Sequence, residues 1–123
     1  MEFNEHQPIY AQIANLVSDR ILLQELKTED KILSVRDLAA ELRVNPNTVM
    51  RAYEYLQQQG IIYNKRGLGN YVAKDACSII KNTRRESFFQ NELPQFFNSI
   101  KMMGISFEDI EKKYRQYIDI EKK

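Results

Sequence analysis

From Gln7 to Gln24 the apolar positions Ile9, Ile13, Leu16, Val17 and Ile21 return at the spacing of a helix with one buried face. Pro8 suits the first turn of that helix, where a backbone N–H is not needed. The polar and acidic run Glu25 to Lys31 reads as a loop. Ser34 then reads as an N-cap with Asp37 three residues on, a relative of the capping box. Val35, Leu38, Ala39 and Leu42 give a short helix its apolar stripe, ending near Arg43. The chain restarts at Val44-Asn45-Pro46-Asn47-Thr48, with Asn45 as N-cap and Pro46 as first helical residue. A third helix turns Val49, Ala52, Tyr53 and Leu56 inward and stops at Gly60. Two helices joined by so short a turn predict a helix-turn-helix.

Beyond Gly60 the period shortens. Ile61 to Lys65 and Asn70 to Ala73 are β-prone runs on either side of Arg66-Gly67-Leu68-Gly69, whose two glycines suit a hairpin tip. The predicted fold class is therefore mainly α with a small β-wing. A winged helix-turn-helix domain spans residues 1–75 and an α-helical dimerisation hairpin spans 76–123. In the tail, Phe89, Leu93, Phe96, Phe97, Ile100 and Met103 form one helix-spaced stripe, which Pro94 either kinks or divides. Gly104 ends it, and Ser106 caps a last helix whose apolar face is Phe107, Ile110, Tyr114, Tyr117 and Ile118. Two helices of this length cannot enclose a core of their own. Their stripes either fold back on the winged domain or pair with a second copy, and the aromatic surplus favours a homodimer.

Composition narrows the function classes. Of 123 residues 43% are hydrophobic and 28% charged, enough for one ordinary core and too apolar for a disordered chain. No apolar run reaches membrane-spanning length, because even Ile13 to Leu26 is broken by Asn15, Ser18, Asp19, Arg20, Gln24 and Glu25. Met1 to Gln7 is polar and acidic, unlike a secretory signal. A lone cysteine, Cys77, has no internal disulfide partner and fits a small buried or boundary residue. These features together suggest a soluble protein of the reducing cytoplasm. His6, the single histidine, reads as a solvated bystander, and with Cys77 it is too little for a zinc site, so no metal or other cofactor is expected. Enzymatic chemistry is not expected either: no nucleophile–base pair can be placed, and Gly67-Leu68-Gly69 lies between strands rather than before a helix.

The net charge of +1 carries no nucleic-acid signal, but its distribution does. From Ser34 to Lys74, Arg36, Arg43, Arg51, Lys65, Arg66 and Lys74 face only Asp37, Glu41 and Glu54. At about 100° per residue, Asn47, Met50, Arg51 and Glu54 fall on the side of the third helix opposite its apolar face. A recognition helix presents such a face to the major groove of double-stranded DNA. There Arg51 could fork onto a guanine edge or grip a phosphate, and Asn47 could pair with adenine or a backbone oxygen. Glu54 could accept from cytosine or simply pair with Arg51 or an adjacent lysine. Thr48 lies to the side, within reach of phosphate; Arg36 approaches from the preceding helix; Lys65 and Arg66 reach the flanking minor groove or backbone. The candidate DNA-contacting set is Ser34, Arg36, Asn45, Asn47, Thr48, Met50, Arg51, Lys65, Arg66 and Gly67. The competing reading, a protein-interaction module with a partner on the Phe96 and Phe97 stripe, fits poorly with so polar an outward face.

Three runs taken together carry a family resemblance: Pro8-Ile9-Tyr10-x-Gln12-Ile13, Leu33-Ser34-Val35-Arg36-Asp37-Leu38-Ala39, and Val44-Asn45-Pro46-Asn47-Thr48-Val49-x-Arg51-Ala52-Tyr53. With Gly60-Ile61-Ile62 and Gly67-x-Gly69-x-Tyr71-Val72, the stretch from about 7 to 74 resembles the GntR family of bacterial transcription regulators. The short tail, with its Met103-Gly104-Ile105-Ser106-Phe107-Glu108 turn, resembles the YtrA-type subfamily. That resemblance implies a dimerisation tail, a repressor acting on an inverted-repeat operator, and targets that often encode ABC-type transporters. The chain departs from the family where Gln24, Thr28-Glu29 and Leu33 replace its usual glycine, proline-glycine and proline, so the loop before the second helix is harder to foresee. Met50 stands at a variable position of the motif and is a candidate for operator discrimination through a thymine methyl. A small effector could enter between paired tails, but no residue identifies one.

Overall fold

The computed structural model describes Phe3 and residues 6–122. The Met1 to Gln7 expectation falls partly outside them. Contacts divide the chain into two compact units, Met1–Thr83 and Arg84–Lys123.

The first unit holds three helices, a hairpin and most of a fourth helix. α1 (Ile9–Leu22) packs Ile13, Ala14, Val17 and Ile21 inward. The expected stripe is shifted at its start: Ile9 is 45% exposed, and Pro8 is the cap, its carbonyl accepting from the N–H groups of Ala11 and Gln12. The helix also ends before Gln24, whose φ of 64° is left-handed and cannot continue it. α2 (Val35–Leu42) begins as read, with Ser34 Oγ accepting from the Asp37 N–H at 3.1 Å. It closes on Arg43 in the left-handed conformation, and Val44 N–H returns to the Ala39 carbonyl at 3.0 Å.

That short turn delivers Asn45, whose Oδ1 accepts from the Asn47 N–H at 2.8 Å and opens α3 (Pro46–Gln58) with proline in its first turn. Val49, Ala52, Tyr53 and Leu56 are buried, the four expected. Replacing Asn45 with alanine removes the cap acceptor and should lower stability by about 1 kcal/mol, while serine largely preserves it. Urea unfolding followed by circular dichroism checks this, and equal midpoints for the native and alanine forms would show the cap to be idle.

The wing pairs β1 (Ile62–Lys65) with β2 (Gly69–Val72) antiparallel, Ile62 opposite Val72 and Lys65 opposite Gly69. The expected loop Glu25 to Lys31 is in fact built into this wing at its far end. Val72 N–H donates to Asp30, Glu29 N–H to Val72, and Ile32 N–H to Asn70, each at 2.9 Å, with an antiparallel bridge between Lys31 and Tyr71. Glu29 and Gln24, two positions of departure from the familiar glycines, adopt φ of 70° and 64°, so the chain keeps a glycine-type path with residues that find it costly.

Side chains fix the head from both sides. Tyr53 Oη donates to the Leu33 carbonyl at 2.7 Å, and Arg20 on α1 pairs with Glu41 on α2 at 3.5 Å. Burial pushes the Tyr53 hydroxyl up to about 12, so it stays a donor throughout the neutral range. Gln57 on α3 donates to Asn70 on β2 at 2.8 Å, joining recognition helix and wing. α4 (Ala76–Ser87) places Ala76 and Ile80 in the same core.

In the second unit a π-helical turn, Phe88–Glu92, precedes α5 (Leu93–Met102). Pro94 falls in the first turn of α5, so it begins a helical segment and the wide turn before it absorbs the lost N–H. Gly104 has a φ of 68°, and Ser106 Oγ accepts from Asp109 N–H at 3.1 Å to start α6 (Phe107–Lys122). The π turn, α5 and α6 bury none of their residues fully. Leu93, Ile100, Ile110 and Ile118 are half-buried, whereas Phe89, Phe96, Phe97, Met103, Phe107, Tyr114 and Tyr117 stay exposed.

Candidate nucleic-acid interface

α3 separates its faces cleanly. With its four apolar groups inside, Asn47, Met50, Arg51 and Glu54 are exposed and Thr48 is half-exposed. Asn47, Thr48 and Arg51 line one open cleft of about 360 Å³ with Pro8, Ile9 and Tyr10 from the start of α1. A second recess of about 230 Å³ lies between Tyr10, Arg51, Glu54, Tyr55 and Gln58. Arg51 therefore stands between two hollows, its Cζ 4.1 Å from the centre of the Tyr10 ring. Glu54 shares the second hollow with it but makes no ion pair among the described residues.

The other sequence-predicted residues occupy adjoining elements, outside this cleft. Arg36 is exposed in the first turn of α2. Ser34 and Asn45 each commit one oxygen to a helix cap, which leaves the Ser34 hydroxyl hydrogen and the Asn45 amide N–H groups to donate outward. Lys65, Arg66 and Gly67 are exposed at the wing turn, where Gly67 has a φ of 79°.

The wing also orders its cations. The Lys65 ammonium is 4.3 Å from the centre of the Tyr71 ring and 5.8 Å from that of Tyr63, and the two rings stack at 6.0 Å. Tyr63 Oη donates to the Glu29 carboxylate, a bond that raises the phenol above its ordinary range. Lys31 crosses Gly69 closely enough that a Cβ there would lie 3.1 Å from its Cε. Lys31 thus joins Lys65 and Arg66 as a wing cation.

Lys31, Tyr10 and Tyr71 were not singled out as interface residues by sequence reasoning. Lys31 lay in a stretch whose acidic composition signalled only a loop. Tyr10 and Tyr71 are visible as motif positions, yet nothing local ties the Tyr10 ring to Arg51 far along the chain, and the contact of Tyr71 with Lys65 requires the hairpin register.

The arrangement has known counterparts. The description "Bacterial regulatory proteins, gntR family" matches residues 9–72. The HTH-type transcriptional regulator YhcF of Bacillus subtilis (strain 168) is 33% identical over 109 residues, 89% of this chain and 88% of that protein. The HTH-type transcriptional repressor YtrA of the same organism is 33% identical over 103 residues, 84% of this chain and 78% of that one. Among solved structures, a GntR-family transcriptional regulator from Bacteroides thetaiotaomicron aligns with a TM-score of 0.81 at 46% identity, over 93% of this chain and 99% of that one.

Proposed function

Because the chain belongs to the gntR family of bacterial regulatory proteins, and is a DNA-binding transcription regulator by that membership, we propose that it is a repressor that binds an inverted-repeat operator as a homodimer. The observation that carries the reading is the two-sided third helix: a sealed apolar face holds it in the head, and an open face offers Asn47, Thr48, Met50 and Arg51 to a major groove. Arg36, with the wing's Lys65, Arg66 and Gly67, contributes phosphate and minor-groove contacts, and Ser34 and Asn45 add side-chain donors to the DNA backbone. Lys31 adds a further phosphate contact. Repression is supported by the name of the B. subtilis relative YtrA, and the tail's likeness to that subfamily supports an ABC-type transporter operon among the targets.

No helix among the described residues is long and apolar enough to cross a membrane. The apolar tail calls for another occupant. Phe89, Phe96, Phe97, Met103, Phe107 and Tyr114, flanked by Leu93, Ile100 and Ile110, supply the contact with a second copy.

The test is a gel shift on the DNA upstream of the chain's own gene, run beside a scrambled duplex of equal length. We expect tight binding to the first and a difference of at least about a thousandfold at near-physiological salt. Affinity should fall linearly with the logarithm of salt concentration, because the cations displace condensed counterions. Equal affinity for both duplexes would sink the operator reading.

A further inference from the structure

We propose that Tyr10 is a positioning residue for operator recognition, acting through Arg51; this rests on the DNA-binding reading above. An exposed arginine has several flexible bonds, and a free guanidinium must be ordered each time it meets a base. Here it is already placed, over the Tyr10 ring at 4.1 Å, and no hydrogen bond or ion pair engages it among the described residues. Attraction to an aromatic face pairs the cation with no oxygen or nitrogen acceptor, so it commits none of the N–H donors to a conventional hydrogen bond. All five remain available for an acceptor pair such as guanine O6 and N7.

The ring is itself held. Tyr10 lies in the first turn of α1, half-buried against the margin of the head's core, and α1 packs along α3. The open recesses on each side of the pair, one by Asn47 and Thr48 and one by Glu54 and Gln58, leave Arg51 room to meet a base edge. Tyr10 thus converts a mobile cation into a fixed fork, and it does so from a helix that need not enter the groove.

The test uses the full chain and an operator duplex selected from random sequences by the native protein. Affinities for that duplex and for a scrambled one are measured at one salt concentration for the native chain, Tyr10→Phe, Tyr10→Leu, Arg51→Ala and the double variant Tyr10→Leu/Arg51→Ala. Tyr10→Phe keeps the aromatic face and should bind within about twofold of native. Tyr10→Leu should lose about three- to tenfold on the operator and almost nothing on the scrambled duplex. In the Arg51→Ala background the leucine substitution should have no further effect, because its only route of action is gone. A leucine effect that persists undiminished in that background, as a general loosening of the head would give, overturns the proposal. So does a phenylalanine variant as weak as the leucine one, which would place the role in the hydroxyl, or a leucine variant as strong as native. Failure of the underlying reading looks different: the native chain itself would not discriminate between the duplexes, and the proposal would fall with it.

Discussion

Replacing Arg51 with alanine should weaken operator binding by about 1–3 kcal/mol, roughly 5- to 150-fold, while lowering the stability of the head by about 1 kcal/mol at most. Stability changes little because the side chain is exposed, its guanidinium contributes no ion pair among the described residues, and its contact with the Tyr10 ring contributes about 0.5–1 kcal/mol at an exposed site. Affinity is not spared, because Arg51 is the cation on the open face of α3, flanked on both sides by hollows that a base edge can approach. A lysine at the same position separates base reading from phosphate gripping. The ammonium keeps the charge but cannot fork onto two acceptors. We therefore expect Arg51→Lys to retain the salt dependence of binding and to lose discrimination at one base pair of each half-site. Titrations over a salt series, on the selected operator and on single-base variants of it, give both quantities. Undiminished affinity in the alanine variant would remove Arg51 from the reading set. A loss uniform across all sequences, with a salt slope shallower by about one, would reassign it to phosphate.

The head was legible in the sequence wherever the signal was local. Ser34, Asn45 and Ser106 each have a backbone N–H two or three residues ahead to bind, so a cap can be read from neighbours alone. The inward set of α3 follows from helical period, and the structure buries those four residues. Legibility stopped where partners lie far apart along the chain. The Lys31 bridge to Tyr71 depends on main-chain hydrogen bonds that every residue can make, so no side chain announced a third wing segment. Gln24 and Glu29 hid their left-handed backbone behind side chains that disfavour it. Glu29 has a counterbalancing contact, since its carboxylate receives the Tyr63 hydroxyl. At Ile9 the period was right but the burial was not, because the first turn of α1 extends past the core it helps to cover. Of the candidate interface, the outward residues of α3 could be placed from angle alone, whereas the contact of Arg51 with the Tyr10 ring requires two helices to be packed first.

A charge introduced into the exposed tail stripe should have the largest effect on function, although it changes none of the groove-facing residues. The double variant Phe97→Asp/Phe107→Asp should be monomeric and bind a full inverted repeat about 10²- to 10⁴-fold more weakly than the native chain. Phe97 is 47% and Phe107 65% accessible, so neither aspartate disturbs a buried core within the chain. α5 and α6 bury none of their residues fully and leave Phe96, Phe97, Phe107, Tyr114 and Tyr117 exposed, so their apolar faces are not sealed within the chain. In the proposed dimer a second copy covers those faces, and burying an unpaired carboxylate in that contact would cost far more than the lost ring contact alone. Once pairing is lost, the second half-site is no longer bound at the raised local concentration that linkage provides, and affinity falls toward that of one head on one half-site. Sedimentation velocity reads the first step and titration of full and half operators reads the second. The two must move together, with half-site affinity unchanged, since Asn47 and Arg51 are untouched. A native chain that sediments as a monomer at concentrations where it saturates the full operator would break the link between tail and affinity. A double variant that remains dimeric would instead place the pairing surface elsewhere on the molecule.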